Sequence, residues 1–145
     1  MAGIALVILQ FALLAVLGLQ VATHATEPVP IYALVLMLGG VLLGLWSISV
    51  NRPGNFNIRP TPKAGGKMIE QGPYRLIRHP MYLSLMLAGL GAALASMGAV
   101  AWISWAALVL VLNAKAGIEE RALRQQFPAY ENYCARSWRF LPGIF

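Results

Sequence analysis

Three short stretches of the sequence combine residue types that could take part in chemistry. The first covers residues 72–82 and reads GPYRLIRHPMY. His79 precedes a proline, which disfavours the α conformation, so the sequence predicts a bend where an apolar helix begins. There the His79 imidazole can donate or accept a hydrogen bond, and the planar guanidinium of Arg78 can hold a carboxylate or a phosphate. The same residues are also typical of a charged collar that anchors a helix end to lipid headgroups.

The second stretch is an adjacent pair of carboxylates, Glu119 and Glu120, in a chain with only five acidic residues. The pair follows an apolar helix, and carboxylates at a helix C-terminus oppose the helix dipole unless a cation compensates. Neighbouring side chains on a helix point about 100° apart. We therefore expect one carboxylate to turn inward and the other to pair at the surface with Arg124, four residues after Glu120. Arg78, Arg121 or a cationic ligand could compensate the charge, and a solvated helix end is the alternative.

The third stretch, residues 127–133, reads FPAYENY and includes Tyr130; it is followed by Arg136, Trp138 and Arg139. Aromatic faces attract a cationic ligand. Aromatic residues interleaved with arginine are equally typical of an amphipathic helix that lies on a lipid surface.

These stretches are connected to long apolar segments. Hydrophobic residues form 59% of the 145, and charged residues form 11%, well below the quarter or so that soluble domains carry. Four segments are apolar enough to cross a bilayer as helices: residues 2–21, 31–50, 81–97 and 99–116. The first has no basic n-region, so we interpret it as a transmembrane helix and not as a cleaved signal peptide. The sequence thus predicts an all-α polytopic membrane protein, with residues 1–145 forming one membrane domain.

The distribution of cations predicts the orientation of this domain. Six of the eleven Lys and Arg residues lie between positions 52 and 78, and the other five lie between 115 and 139. Cationic loops stay on the cytoplasmic side of a membrane, so residues 51–80, residues 117–145 and both termini are expected in the cytoplasm. The net charge of +6 is interpreted as basic loops that face anionic lipid, with no nucleic-acid partner.

The cytoplasmic segments have their own local patterns. Residues 51–66 contain three prolines and three glycines, which favours an extended, non-helical loop. The fourth apolar helix is expected to continue to about Gln126, where Pro128 ends it, and a short helix is expected over about 129–136. GxGxxG, P-loop, HExxH and CxxC motifs are absent from the sequence, so we expect neither a soluble nucleotide-binding fold nor a metal site.

Together, the three stretches resemble the membrane methyltransferases of the isoprenylcysteine carboxyl methyltransferase and phospholipid N-methyltransferase superfamily. The matching pattern is GPYRxxRHPxY at 72–82, a helical hairpin, EE at 119–120, and FxxYxxY at 127–133 with Arg136 and Pro142. The resemblance covers residues 51–145.

The resemblance implies a cofactor, S-adenosylmethionine, with S-adenosylhomocysteine as the product, held at the cytoplasmic face. The cofactor-site residues that it implies are Gly72, Tyr74, His79, Pro80, Tyr82, Glu119, Glu120 and Tyr130. It also places Arg78 and Arg136 where carboxyl-methylating relatives hold the substrate carboxylate. We expect these two arginines and the Glu119–Glu120 pair to be the catalytic residues. The chain departs from many relatives in having only four spans, and in having Ser84 where they have glycine.

The implied reaction is methyl transfer to a lipophilic acceptor that is delivered from the bilayer. A carboxylate acceptor needs only a cation to orient it, whereas an amine must first lose a proton, to Glu119, Glu120 or neutral His79. Carboxylate, amine and thiol acceptors all stay open, as does the oligomeric state. The alternatives are a nicotinamide-dependent membrane reductase related to sterol reductases and a non-enzymatic membrane scaffold. The lack of further extensions favours a bacterial or archaeal inner membrane.

Overall fold

A computed structural model describes residues 2–51 and 67–143, and the chain is helical over most of this part. The helices are α1 (Ala2–His24), α2 (Ile31–Val50), α3 (Pro80–Ser96), α4 (Ala99–Gln126) and α5 (Tyr130–Ala135), with one turn of 3₁₀ helix at Gly72–Arg75. The described residues form no β-strand, only an isolated bridge between Ile77 and Trp138. The predicted all-α class is therefore confirmed. Most of the loop predicted at 51–66 lies outside the described residues.

Three of these helices, α1, α2 and α4, are long and apolar enough to cross a membrane. The 17 residues of α3 are also apolar, and at 1.5 Å per residue they extend for about 25 Å. Three to four helices can thus span a bilayer, where the sequence predicts four. At 28 residues, α4 is about 42 Å long and exceeds the roughly 30 Å hydrocarbon core. Its C-terminal turns, which carry the two adjacent glutamates, therefore extend beyond the predicted span of 99–116.

Small residues allow α2 and α3 to pack with their backbones in contact. A Cβ atom added to Gly40 would lie 2.6 Å from the carbonyl oxygen of Ser84, and one added to Gly91 would lie 2.6 Å from the carbonyl oxygen of Ala33. Close approach of this kind is the usual way in which helices associate in lipid. The small residues around Gly40 thus pack α2 against α3 within the chain.

A cleft separates α1 from α2, although these helices are consecutive in sequence. The most extensive helix contact is that of α2 with α3, while α1 packs on α4 and α3, and α1 and α2 make at most marginal contact with each other. Because α2 packs on α3 and α1 packs mainly on α4, a space is left open between α1 and α2.

The C-terminal tail is fixed to the segment that leads into α3. The amide N–H of Arg78 donates to the carbonyl of Trp138 (2.7 Å), and the amide of Trp138 donates to the carbonyl of Leu76 (2.8 Å). The hydroxyl of Tyr133, on α5, donates to the carbonyl of Tyr74 at 2.6 Å. The residues before α3 and those after α5 are therefore held side by side at the end of α4. The expected end of α4 at Gln126 and the short helix after it are confirmed.

Candidate active site

A cavity of about 380 Å³ lies where α1 and α2 face the N-terminal half of α3 and the C-terminal half of α4. Its volume falls in the range of small-molecule sites. One part of its wall is polar and comes from the segment before α3, from α3 itself and from α4: Tyr74, Arg78, His79, Tyr82, Lys115 and Glu119. Another part is apolar and comes from α1 and α2: Phe11, Val41, Leu45 and Ile48. The cavity thus joins charged groups to an apolar surface.

The polar wall contains a carboxylate beside two stacked rings. The Tyr82 hydroxyl donates to Oε2 of Glu119 at 3.0 Å. The His79 ring is parallel to the Tyr82 ring, with 5.4 Å between centroids and 4° between planes, and its Nδ1 lies 3.7 Å from Oε2 of Glu119. The Glu119 side chain is 31% exposed. A carboxylate and aromatic faces together suit a cationic ligand.

Glu120 is the centre of a buried ion-pair cluster behind this wall. Its side chain is 1% exposed and accepts hydrogen bonds from Nη2 of Arg139 at 2.6 Å and from Nε of Arg78 at 2.9 Å. Nε2 of His79 lies 3.3 Å from Oε1. Burial favours the protonated acid, but the hydrogen bonds from His79, Arg139 and Arg78 outweigh burial and lower the pKa of the Glu120 carboxyl. Its carboxylate is therefore ionised, and two arginines supply the charge that a carboxylate at a helix C-terminus needs.

Arg78 connects three parts of the site. Besides its bond to Glu120, its Nη1 donates to the carbonyl of Cys134 (3.3 Å) and to the carbonyl of Ser137. Arg78 therefore joins the start of α3 to α4 and to the tail, and it also lines the cavity.

The structure brings most, but not all, of the predicted site residues to the cavity. Tyr74, Arg78, His79, Pro80, Tyr82 and Glu119 line it, while Glu120 contacts it through His79. Arg136 does not reach it: the Arg136 side chain is 61% exposed and pairs with Glu70.

Gly72 and Tyr130, which were also predicted to belong to the site, are not among the residues that line the cavity. Gly72 adopts a φ of +57°, where a Cβ atom would meet the Val50 side chain at 2.7 Å, so a glycine fits the turn before α3. Tyr130 is buried, and its hydroxyl has no hydrogen-bond partner among the described residues. Burial raises the pKa of Tyr130, so its hydroxyl stays protonated.

The sequence left open which of the two adjacent glutamates turns inward, and the structure distinguishes them. Glu120 is the carboxylate that turns inward to the cluster, whereas Glu119 faces the cavity. One of the two glutamates was predicted to pair with Arg124 at the surface, but the closer partner of Arg124 is Glu131. Nε of Arg124 lies 2.7 Å from Glu131, and its Nη1 is 4.0 Å from Glu120.

Sequence reasoning missed three residues of the site. Arg139 joins the Glu120 cluster, and Lys115 and Gln10 line the cavity, although Lys115 was interpreted only as one of the basic residues that face lipid. Two signals could have identified this pair. Gln10 is a polar residue within the first apolar segment, and Lys115 precedes Glu119 by four residues, which places the two on one helix face.

Fold and cavity together define an all-α membrane protein with a pocket between its helices whose wall is partly charged and partly apolar. The sequence model of the phospholipid methyltransferase family matches residues 29–129, and the chain belongs to this family. The resemblance drawn from the three sequence stretches is thereby confirmed at the level of the family.

One curated relative adds a local similarity. The chain is 34% identical over 79 residues to the cobalt-zinc-cadmium resistance protein CzcN of Cupriavidus metallidurans. The aligned part is 53% of this chain and 36% of that protein, so the chain spans about a third of the relative's length. Among the residues that the structure describes, no three His, Cys, Asp or Glu side chains are grouped to hold a metal ion.

Proposed function

We propose that the protein transfers a methyl group from S-adenosylmethionine to a lipophilic acceptor at the cytoplasmic face of the membrane, with both termini in the cytoplasm. The observation that supports this most directly is the composition of the cavity wall. Glu119 and the stacked rings of His79 and Tyr82 lie on one side of a pocket whose other side is apolar.

The residues present fit the cofactor that the family implies. S-adenosylmethionine supplies, when bound, a methyl group on a positively charged sulfonium. Glu119 offers it a negative charge at the cavity surface, and the Tyr82 and His79 rings offer aromatic faces. Tyr74 and Pro80 line the same wall, while Gly72 and Tyr130 shape the turn and the helix behind it.

The apolar wall supports delivery of the acceptor from the bilayer. Phe11, Val41, Leu45 and Ile48 line the cavity and are also exposed on the helix surface. Since α1 and α2 hardly contact each other, the cavity opens between them towards the region that lipid tails occupy. An acceptor with an apolar chain could enter there while its reactive end stays near Glu119.

The protein's own task in such a reaction is alignment. Methyl transfer is an in-line displacement, and holding donor and nucleophile in line accounts for much of the rate gain that an enzyme can supply. For an amine acceptor, His79 is the candidate base, because its ring lies at the cavity wall between the two glutamates. A carboxylate acceptor needs no base.

Calorimetric titration with S-adenosylhomocysteine tests the proposal. In lipid-supplemented detergent, the wild-type protein should bind it saturably. S-adenosylmethionine, which carries the sulfonium charge, is titrated in parallel, and Glu119→Gln should bind it at least about tenfold more weakly than the wild type does, which corresponds to the loss of one charge-assisted contact. The matched control is Glu131→Gln, which also removes one carboxylate, from a surface pair far more exposed than Glu119. No binding by a folded wild-type sample would refute the proposal, and binding of NADPH in its place would favour a reductase.

A further inference from the structure

A buried cation faces the cavity without a carboxylate beside it. Lys115 is 1% exposed, and its Nζ donates a hydrogen bond to Oε1 of Gln10. The same Nζ lies 5.2 Å from the centroid of the Tyr82 ring. Both Lys115 and Gln10 line the cavity. Lys115 forms no ion pair with any glutamate that the structure describes, and the Glu119 charge acts on it only from a greater distance.

Such a cation is costly to keep within a membrane. Ionisable side chains in transmembrane segments are rare, and they face the protein interior, pair with another group or take part in binding. A lysine can often extend its chain to reach water at the membrane surface, but the burial of Lys115 shows that its ammonium does not. The neutral amide of Gln10 can orient the ammonium and cannot neutralise it. Among the residues that the structure describes, no carboxylate therefore lies within ion-pair distance of the Lys115 amine, and the nearest charge named above is that of Glu119.

We propose that Lys115 and Gln10 bind an oxyanion, a carboxylate or a phosphate, carried by the lipophilic acceptor. The proposal rests on the proposed function and names the acceptor's chemical class. Lys115 and Glu119 are four residues apart and thus lie on one face of α4, about 6 Å apart along its axis. An anionic acceptor held at Lys115 would place its charge one helical turn from the carboxylate assigned to the cationic methyl donor.

The apolar wall provides the other half of such a site. Phe11 follows Gln10 on α1, and Leu45 faces it from α2, so an apolar chain can leave the oxyanion through the opening between these helices. The Gln10 amide also carries N–H donors, which a carboxylate or a phosphate can accept. This part of the cavity thus suits a ligand that has one acidic headgroup and one apolar chain.

The test compares three amphiphiles with the same apolar chain: dodecanoate, dodecyl phosphate and uncharged dodecanol. Binding of each is titrated in non-ionic detergent at about pH 8, where a carboxylate is ionised. The wild-type protein should bind an anionic probe at least about tenfold more tightly than the alcohol. Preference for dodecanoate alone assigns a carboxylate acceptor, and preference for dodecyl phosphate alone assigns a phosphate; equal preference supports the oxyanion site for both.

Lys115→Met should abolish this preference, whereas Arg121→Met should keep it. Arg121 is an exposed cation on the same helix, so it controls for general attraction of anions by a basic protein. Equal wild-type affinity for all three probes would overturn the proposal, and so would a preference that survives in Lys115→Met. If Lys115→Met does not fold, Gln10→Leu replaces it: this variant should weaken the preference, and an unchanged preference overturns the proposal. Failure of wild-type protein to bind S-adenosylhomocysteine, with the anion preference intact, would refute only the proposed function.

Discussion

Replacement of Glu120 by glutamine should destabilise the folded protein by about 3–5 kcal/mol, the usual cost of removing one partner from a buried ion pair. The Glu120 side chain is 1% exposed, and those of its partners Arg78 and Arg139 are 13% and 23% exposed. Glutamine keeps the size of the side chain and removes its charge, so the Arg78 guanidinium would stay largely buried without its carboxylate partner, and Arg139 would lose its contact with that charge. Arg78 would still donate to the tail carbonyls, which is why the loss should not exceed this range.

Equilibrium unfolding in mixed micelles of non-ionic detergent and sodium dodecyl sulfate, followed by tryptophan fluorescence, measures the free energy directly. Glu131→Gln is the control, because it removes a carboxylate from an exposed ion pair with Arg124. Such surface pairs contribute about 0–1 kcal/mol. If Glu120→Gln lost no more stability than Glu131→Gln, the cluster would not hold α3, α4 and the tail together, and the reasoning would be refuted.

Two further substitutions follow from the packing and from the cavity wall. Gly40→Ala should cost about 1–3 kcal/mol in the same unfolding assay, because its Cβ would lie 2.6 Å from the Ser84 carbonyl oxygen. Gly39→Ala, where nothing lies within 4 Å, should be neutral or slightly stabilising; equal effects would show that α2 and α3 are not in such close contact. Tyr82→Phe removes the hydroxyl bonded to Glu119 and should weaken binding of S-adenosylmethionine, which carries the sulfonium charge, by about 2–10-fold in calorimetry. Unchanged binding would show that this hydrogen bond does not position the carboxylate.

The helices were predictable because local sequence determines where they begin and end. The apolar run of α2 follows Pro30 and ends at the polar Asn51, and α4 ends before Pro128. The clustering of His79, Tyr82 and Glu119 could also be predicted, since the family pattern contains both the motif at 72–82 and the glutamate pair at 119–120. The hairpin of α3 and α4 brings the start of α3 back beside the C-terminal half of α4, where the Tyr82 hydroxyl bonds to Glu119.

Residue spacing alone could not show that Arg139, and not Arg136, belongs to the site. Both follow α5, where the chain is no longer regular, so no helical or strand period relates them to Glu120. Long-range pairing decides the outcome. Trp138 bonds to the segment before α3, which brings Arg139 against Glu120 and leaves Arg136 at the surface beside Glu70.

The two adjacent glutamates differ in their surroundings: Glu120 is buried in an ion-pair cluster, and Glu119 lines the cavity. Glu120 is bound by two arginines, so its charge is already compensated and cannot serve a cationic ligand. Glu119 accepts a hydrogen bond from the Tyr82 hydroxyl and lies at the cavity surface, where no arginine in the described part of the chain is bonded to it. Through its two arginines Glu120 connects α4 to the start of α3 and to the tail, while Glu119 and Lys115 on the same helix line the cavity. The cation proposed beside Glu119 and the anion proposed beside Lys115 would then both lie along this one face of α4.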